Sequence, residues 1–304
     1  MTAITADGVS KRYGTVTALD HVSLSVEEGE IFGFLGPNGA GKSTFINVLL
    51  DFARPTDGSA ELFGHDCQTE GVAARERVGV LPDGYSVFDR LTGRQHLEYA
   101  VRSKAADDDP AEILDRVGIS EAADRPASDY SKGMKQRLIL GMSLVGDPDL
   151  LLLDEPTTGL DPNGAAEIRS ILREERDRGA AIFFSSHILE QVEAICDRVG
   201  ILQNGELVAV DTIDGLRQSI GGGTKLLIDV DELDDATTEA VRSVDGVETA
   251  TASDGTTLEV TCTNDAKMDV VVELQRRGAD VMNFRTEEAS LEEMFAAYTR
   301  GGRA

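Results

Sequence analysis

Lysine is scarce in this chain: 304 residues carry seven lysines, 29 basic residues in all against 55 acidic ones, and a formal net charge of −26. Nucleic-acid phosphates require a basic footprint, so a nucleic-acid partner is excluded. Acid excess with so little lysine suits a salt-loving, halophilic microbe, whose molar salt screens the self-repulsion. Cysteine is also sparse. Cys67, Cys196 and Cys262 stand alone without metal-ligand spacing, which excludes a disulfide framework and suits a reducing cytoplasm. Long apolar runs are missing too. An uncharged run such as Leu138 to Gly146 falls far short of the roughly 18 residues that a spanning helix needs. Met1 to Gly14 shows no basic-then-apolar secretion signal, and no covalent membrane anchor is expected. Any membrane passage therefore belongs to a separate protein. The 41% hydrophobic content still supports a core, and the length exceeds one typical domain.

What is present is a phosphate loop. Gly36, Pro37, Asn38, Gly39, Ala40, Gly41, Lys42, Ser43 and Thr44 contain the whole G-x-x-x-x-G-K-[ST] pattern. Glycines let successive backbone N–H groups turn inward as an anion nest, Lys42 adds a full positive charge for the β- and γ-phosphates, and the Ser43 hydroxyl suits Mg²⁺. The context agrees: Glu30 to Leu35 is an apolar run of buried-strand type, and Phe45 to Leu50 continues as a helix aimed at the phosphates. A second element, Leu150 to Leu153 followed by Asp154 and Glu155, ends an apolar strand in two carboxylates. Adjacent buried charges are costly unless they meet a cation, so the pair belongs at the strand's C-terminal end, where ligands of open α/β sheets sit. Asp154 is expected to hold Mg²⁺, and Glu155 to orient or deprotonate the attacking water.

With these motifs in hand, the chain resembles the ATP-binding subunits of ABC transporters, over residues 1 to about 220. Tyr130-Ser131-Lys132-Gly133-Met134 is similar to that family's Leu-Ser-Gly-Gly-Gln signature. Asp154 to Pro162 resembles its second Walker motif running into the D-loop with Asp161, His187 its switch histidine, and Tyr13 its adenine-stacking aromatic. The resemblance implies ATP with Mg²⁺, catalysis by Glu155, His187 and Lys42, and a nucleotide completed by Ser131 and Gly133 of the opposite subunit. One chain carries one of each half, so a second subunit is required, most simply another copy in a two-fold head-to-tail pair. Ser131 could equally serve only as a helix cap, and both readings are compatible. Lys132 stands where the usual signature has its first glycine, a form that looks like the exporter-type branch. Asp83 replaces the usual glutamine near the metal; an acid there is repelled by the γ-phosphate unless it leans on Mg²⁺. Downstream, Phe88, Leu91, Leu97 and Tyr99 either line a groove for a coupling helix or pack the helical subdomain internally.

The expected fold is an α/β P-loop ABC cassette with a mostly parallel core sheet, an antiparallel β subdomain and a helical subdomain about 84–145. Val22 to Val26 alternates like a half-buried strand, and Asn204-Gly205 predicts a hairpin between Val199–Leu202 and Leu207–Val210. Helical patterns occupy Gly93 to Arg102, Ala111 to Val117, Met134 to Val145, Ala165 to Arg178 and Ile188 to Cys196. Gly221-Gly222-Gly223 reads as a linker to a second domain, 221–304, whose strand-helix-strand-strand-helix-strand order predicts a small ferredoxin-like α+β unit. That unit ends in a helical segment, Ser290 to Tyr298, similar to the tail of exporter-type subunits, and it carries no catalytic constellation; dimer support, regulation or a packing appendage are its expected roles.

The functional expectation is an ATPase that drives an ABC-2 type membrane permease, placed in the cytoplasm against the inner face of the membrane. One rival is a soluble ABC-type ATPase clamp for DNA repair or translation, but the stretch from Lys42 to Ser131 has no room for a long coiled-coil arm, and a second cassette is missing. A binding-only regulator is the other.

Overall fold

The computed structural model describes residues 1–219, 224–253, 255–263, 265–287 and Phe295. In chain order the elements are β1 (Thr2–Tyr13), β2 (Val16–Glu27), β3 (Ile31–Leu35), α1 (Lys42–Leu49), β4 (Asp57–Leu62), β5 (His65–Asp66), α2 (Gly71–Glu76) and β6 (Val78–Leu81). They continue with α3 (Gly93–Lys104), α4 (Pro110–Arg116), α5 (Lys132–Leu144), β7 (Leu150–Asp154), α6 (Pro162–Asp177), β8 (Ala181–Ser186), α7 (Leu189–Glu193), β9 (Arg198–Gln203) and β10 (Glu206–Asp211). Last come α8 (Ile213–Ser219), β11 (Thr224–Val230), α9 (Asp235–Arg242), β12 (Val247–Ala252), β13 (Thr257–Cys262), α10 (Lys267–Arg276) and β14 (Val281–Glu287). The chain divides into two compact units, Met1–Thr212 and Ile213–Ala304, so α8 goes with the second. The triple glycine 221–223 and most of the 290–298 segment lie outside the described residues.

In the first unit a six-stranded sheet has the order β10-β9-β3-β8-β7-β6, parallel from β9 to β6, with β10 returning antiparallel. Strands β3, β7 and β8 are buried along their whole length, which explains why their sequences read as continuous apolar runs rather than alternating ones. The β9–β10 hairpin turns at Asn204 (φ 49°) and Gly205 (φ 87°), both left-handed as the two-residue turn demands. A second, antiparallel sheet has the order β2-β1-β4-β5. Phe32, Phe34, Phe45 and Phe183 gather with ring centroids 5.1 to 5.7 Å apart, tying α1 to β3 and β8. Each such aromatic contact adds about 0.5–1.5 kcal/mol beyond the area it buries, so the helix behind the phosphate loop is held from below.

The helical part contains α3, α4 and α5. Thr92 and Gln95 close a reciprocal capping box at the start of α3. Leu97 is fully buried, so of the two readings it packs the helical part from inside rather than lining an external groove, on the inward face of an amphipathic helix. Phe88 and Tyr99 are exposed and Leu91 is half-buried.

The second unit is a four-stranded antiparallel sheet of order β12-β13-β11-β14, with α9 and α10 supplying Val241, Val270 and Leu274 to its own core. The chain order β11-α9-β12-β13-α10-β14 on that sheet is the split βαβ topology of ferredoxin-like domains.

Candidate functional site

Strand register gathers the chemistry. β8 lies between β3 and β7, with Leu35 beside Ser186 and Asp154 beside Ser185, so the segments leaving the C-terminal ends of three adjacent parallel strands meet at one edge. Those segments carry the phosphate loop, the Asp154-Glu155 pair and His187. β6 pairs Leu81 with Leu153 and delivers Asp83 to the same edge, where it is exposed and makes no hydrogen bond or ion pair among the described residues.

Between β3 and α1 the backbone turns through Gly39 (φ 83°) and Gly41 (φ 114°); a Cβ at Gly41 would also run into the Ala18 carbonyl. Only glycine satisfies both conditions. Pro37, Asn38 and Gly39 are exposed, Gly36 and Ala40 are buried, and α1 begins with no side-chain cap and no acidic residue in its first turn. Its N–H groups are therefore open toward an anion. Lys42 is buried, with Nζ donating to the carbonyls of Gly36 (2.7 Å) and Pro37 (3.3 Å) and lying 3.3 Å from Glu155 Oε1. Ser43 is exposed in the first turn and Thr44 is half-buried.

Glu155 sits at φ 53°, a left-handed conformation that a non-glycine residue adopts only when its surroundings hold it there. Its Oε2 accepts from Thr158 Oγ1 (2.8 Å) and from His187 Nδ1 (2.9 Å), so the imidazole proton is on Nδ1 and Nε2 is left to face outward. Its Oε1 is buried and accepts no hydrogen bond, meeting Lys42 only as an ion pair. Burial pushes the Glu155 carboxyl up, but His187, Thr158 and Lys42 together outweigh it and hold the group below its ordinary value.

Ser185 is the functional residue that sequence reasoning passed over. Its hydroxyl donates to Asp154 Oδ1 and accepts the Glu155 N–H at 3.1 Å, and its carbonyl accepts the same N–H at 3.2 Å. One side chain thus ties down the Asp154 carboxylate and the Glu155 backbone together. The signal was available: Ser185 and Ser186 are consecutive hydroxyls at the end of an apolar run, and buried hydroxyls must find partners.

Ser131, Gly133 and Asp161 are brought together elsewhere, around a cavity of about 380 Å³ that contains no phosphate-loop residue. Ser131 is exposed and caps α5 through Met134 N–H (3.2 Å); Asp161 caps α6 through Gly164 N–H (2.7 Å). Tyr13, half-exposed at the end of β1, has Lys11 Nζ 4.9 Å from its ring centre. No cluster of three metal-ligating side chains occurs among the described residues. That fits Mg²⁺, which keeps most of its waters and takes one or two protein ligands plus substrate phosphates; the exposed Ser43 hydroxyl and the Ser185-fixed Asp154 carboxylate are a suitable pair. The cysteines take no part, since burial pushes the Cys67 thiol up to about 12 and raises those of Cys196 and Cys262.

Residues 19–158 match the family model described as ABC transporter. The daunorubicin/doxorubicin resistance ATP-binding protein DrrA of Streptomyces peucetius is 36% identical over 98% of this chain and 92% of its own length. The linearmycin resistance ATP-binding protein LnrL of Bacillus subtilis is 30% identical over 97% of both, and the bacitracin transport ATP-binding protein BcrA of Enterococcus faecalis 32% over 98% and 97%. Among solved structures, an ATP-binding subunit of an ABC transporter aligns with TM-score 0.66 at 28% identity over 72% of this chain and 94% of that one.

Proposed function

The chain belongs to the ATP-binding subunits of ABC transporters, and from that premise we propose how its residues work and what they drive. It is an ATPase that uses Mg²⁺ and acts with a membrane permease. The observation that carries the catalytic reading is Glu155, held in a left-handed conformation with Lys42 at one oxygen and His187 at the other.

ATP is bound with its phosphates along the N–H groups of residues 38–44 and its adenine on Tyr13. The γ-phosphate competes with Glu155 for the Lys42 ammonium, because a charge-assisted bond to phosphate is at least as strong as the 3.3 Å ion pair it replaces. Glu155 Oε1 is then free to take a proton from water. The hydroxide so formed attacks the γ-phosphorus, the bond to the β-γ bridging oxygen breaks, and ADP and phosphate leave. His187 fixes the carboxylate through Oε2. Ser43 and Asp154, with Asp83 as a third candidate, would hold Mg²⁺, which would supply positive charge against the triphosphate.

Two copies close head-to-tail, so that Ser131, Gly133 and Asp161 of one complete the nucleotide site of the other; the separate and exposed signature cavity supports this. The permease is of ABC-2 type, the chain works against the inner face of the membrane, and transport is outward, as the resistance and transport names of relatives matched over nearly their whole length suggest. Purified chain in molar KCl with Mg²⁺ and ATP should release phosphate and sediment as a dimer before turnover; nucleotide binding with no phosphate release, alone or with co-purified membrane protein, would leave only the binding-only regulator.

A further inference from the structure

One ammonium group at the signature cavity is unaccounted for. Lys132 is the first residue of α5, is exposed, and makes no hydrogen bond or ion pair among the described residues. Its side chain lies along the backbone of Gly159 (φ 69°), so closely that a Cβ there would collide with Nζ. None of the charged groups around the cavity is paired with it. Asp161 is committed to the Gly164 N–H, and Glu167 pairs with Arg137 at 3.5 Å, whose guanidinium also donates to the Gly118 carbonyl at 3.0 Å.

We propose that Lys132 is a ligand of the terminal phosphate of ATP held by a second copy of this chain, supplying a formal positive charge where the usual signature has glycine. The inference rests on the head-to-tail pairing proposed above and adds a residue to it. Closing a second copy over this cavity takes the ammonium out of water, which is costly unless it meets an anion. The γ-phosphate is the anion that the proposed pairing would bring there. With ADP the γ-phosphate is gone and the ammonium is buried unpaired, so the same residue that favours closure on ATP favours opening after hydrolysis. Lys132 therefore makes closure selective for the triphosphate and sensitive to salt.

The test is sedimentation of the E155Q chain, which retains ATP, with Mg²⁺ and either ATP or ADP across a salt series, beside nucleotide binding to the dilute single chain. K132M should weaken ATP-dependent association roughly a hundredfold or more, since the two-fold pair loses one charge-assisted bond at each of its two sites, and flatten its salt dependence. K132R should restore much of it, and single-chain ATP affinity should be unchanged in both. If E155Q with ATP does not associate at all, the head-to-tail reading falls and this inference falls with it. If E155Q associates and K132M associates equally, Lys132 alone loses its role; a K132M loss of single-chain ATP affinity also overturns it, by marking the residue as structural.

Discussion

The catalytic edge and the signature cavity are built from the same kinds of group and finished to different degrees. At the edge, Lys42, Glu155, His187, Thr158, Asp154 and Ser185 form a connected set in which the charges answer one another within the chain. At the cavity, Ser131 and Asp161 spend their side chains on capping helices, Arg137 is matched by Glu167, and Lys132 is left over. A closed set can be loaded by one substrate molecule. An open set with an unpaired ammonium is where the proposed second copy would close, so the contrast separates the part that one chain finishes from the part assigned to the pair.

The strongest way to break the closed set is Glu155→Gln. It keeps the shape and the Thr158 contact, removes the proton acceptor and leaves Lys42 without its counter-charge, so ATP should bind at least as well. Turnover should fall roughly 10²- to 10⁴-fold, the usual contribution of a general base. Phosphate release measured against bound nucleotide checks both halves; turnover near the wild-type rate would move the base to another residue and dissolve the contrast, because Glu155 would then be only an ion-pair partner.

A smaller effect separates the adenine contact from both regions. Tyr13 is tied to neither set, and its ring has Lys11 against it at 4.9 Å. Tyr13→Ala should weaken ATP and ADP about fivefold and equally, since a stacked base is worth about 1 kcal/mol or a little more, while leaving inorganic tripolyphosphate unaffected. Displacement of a fluorescent nucleotide by each ligand reads this directly. An equal loss for tripolyphosphate would place Tyr13 in the fold rather than against the base.

The two regions were also unequally legible. The edge could be read because each part sits in a short, strongly patterned stretch: a glycine-rich loop between an apolar strand and a helix, and two acids ending a run of leucines. The connections among them were not legible. That Ser185 serves Asp154 and Glu155 at once depends on β7 and β8 being neighbours in register, a non-local fact with no local signature. The same holds for Lys132, whose unusual identity was visible but whose position along Gly159 arises from two segments far apart in sequence. Strand β1 escaped for a different reason. Its pairing with β2 shifts register four times, so burial along it follows no clean period of two. The Asn204-Gly205 hairpin and the order of the second unit were readable because turn chemistry and element order are local.

The smallest predicted effect isolates the closed set by titration. The folded Glu155 carboxyl lies below its ordinary value, because contacts to His187, Thr158 and Lys42 overcome the burial that opposes ionisation. A depressed carboxyl stabilises the fold at neutral pH, and that contribution is lost as pH falls from the ordinary carboxylate range through the lowered folded value. The chain has 55 acidic residues, so stability declines on acidification for many reasons at once, and the informative quantity is the difference between wild type and Glu155→Gln. Wild type should lose its thermal midpoint more steeply across that window than the glutamine variant, which has no proton to gain there. The signature cavity is the same in both proteins and cancels from the difference. Parallel curves for the two proteins would mean that the ion pairs around Glu155 organise the site without stabilising the fold, and the closed set would then be a catalytic arrangement held in place by its strands alone.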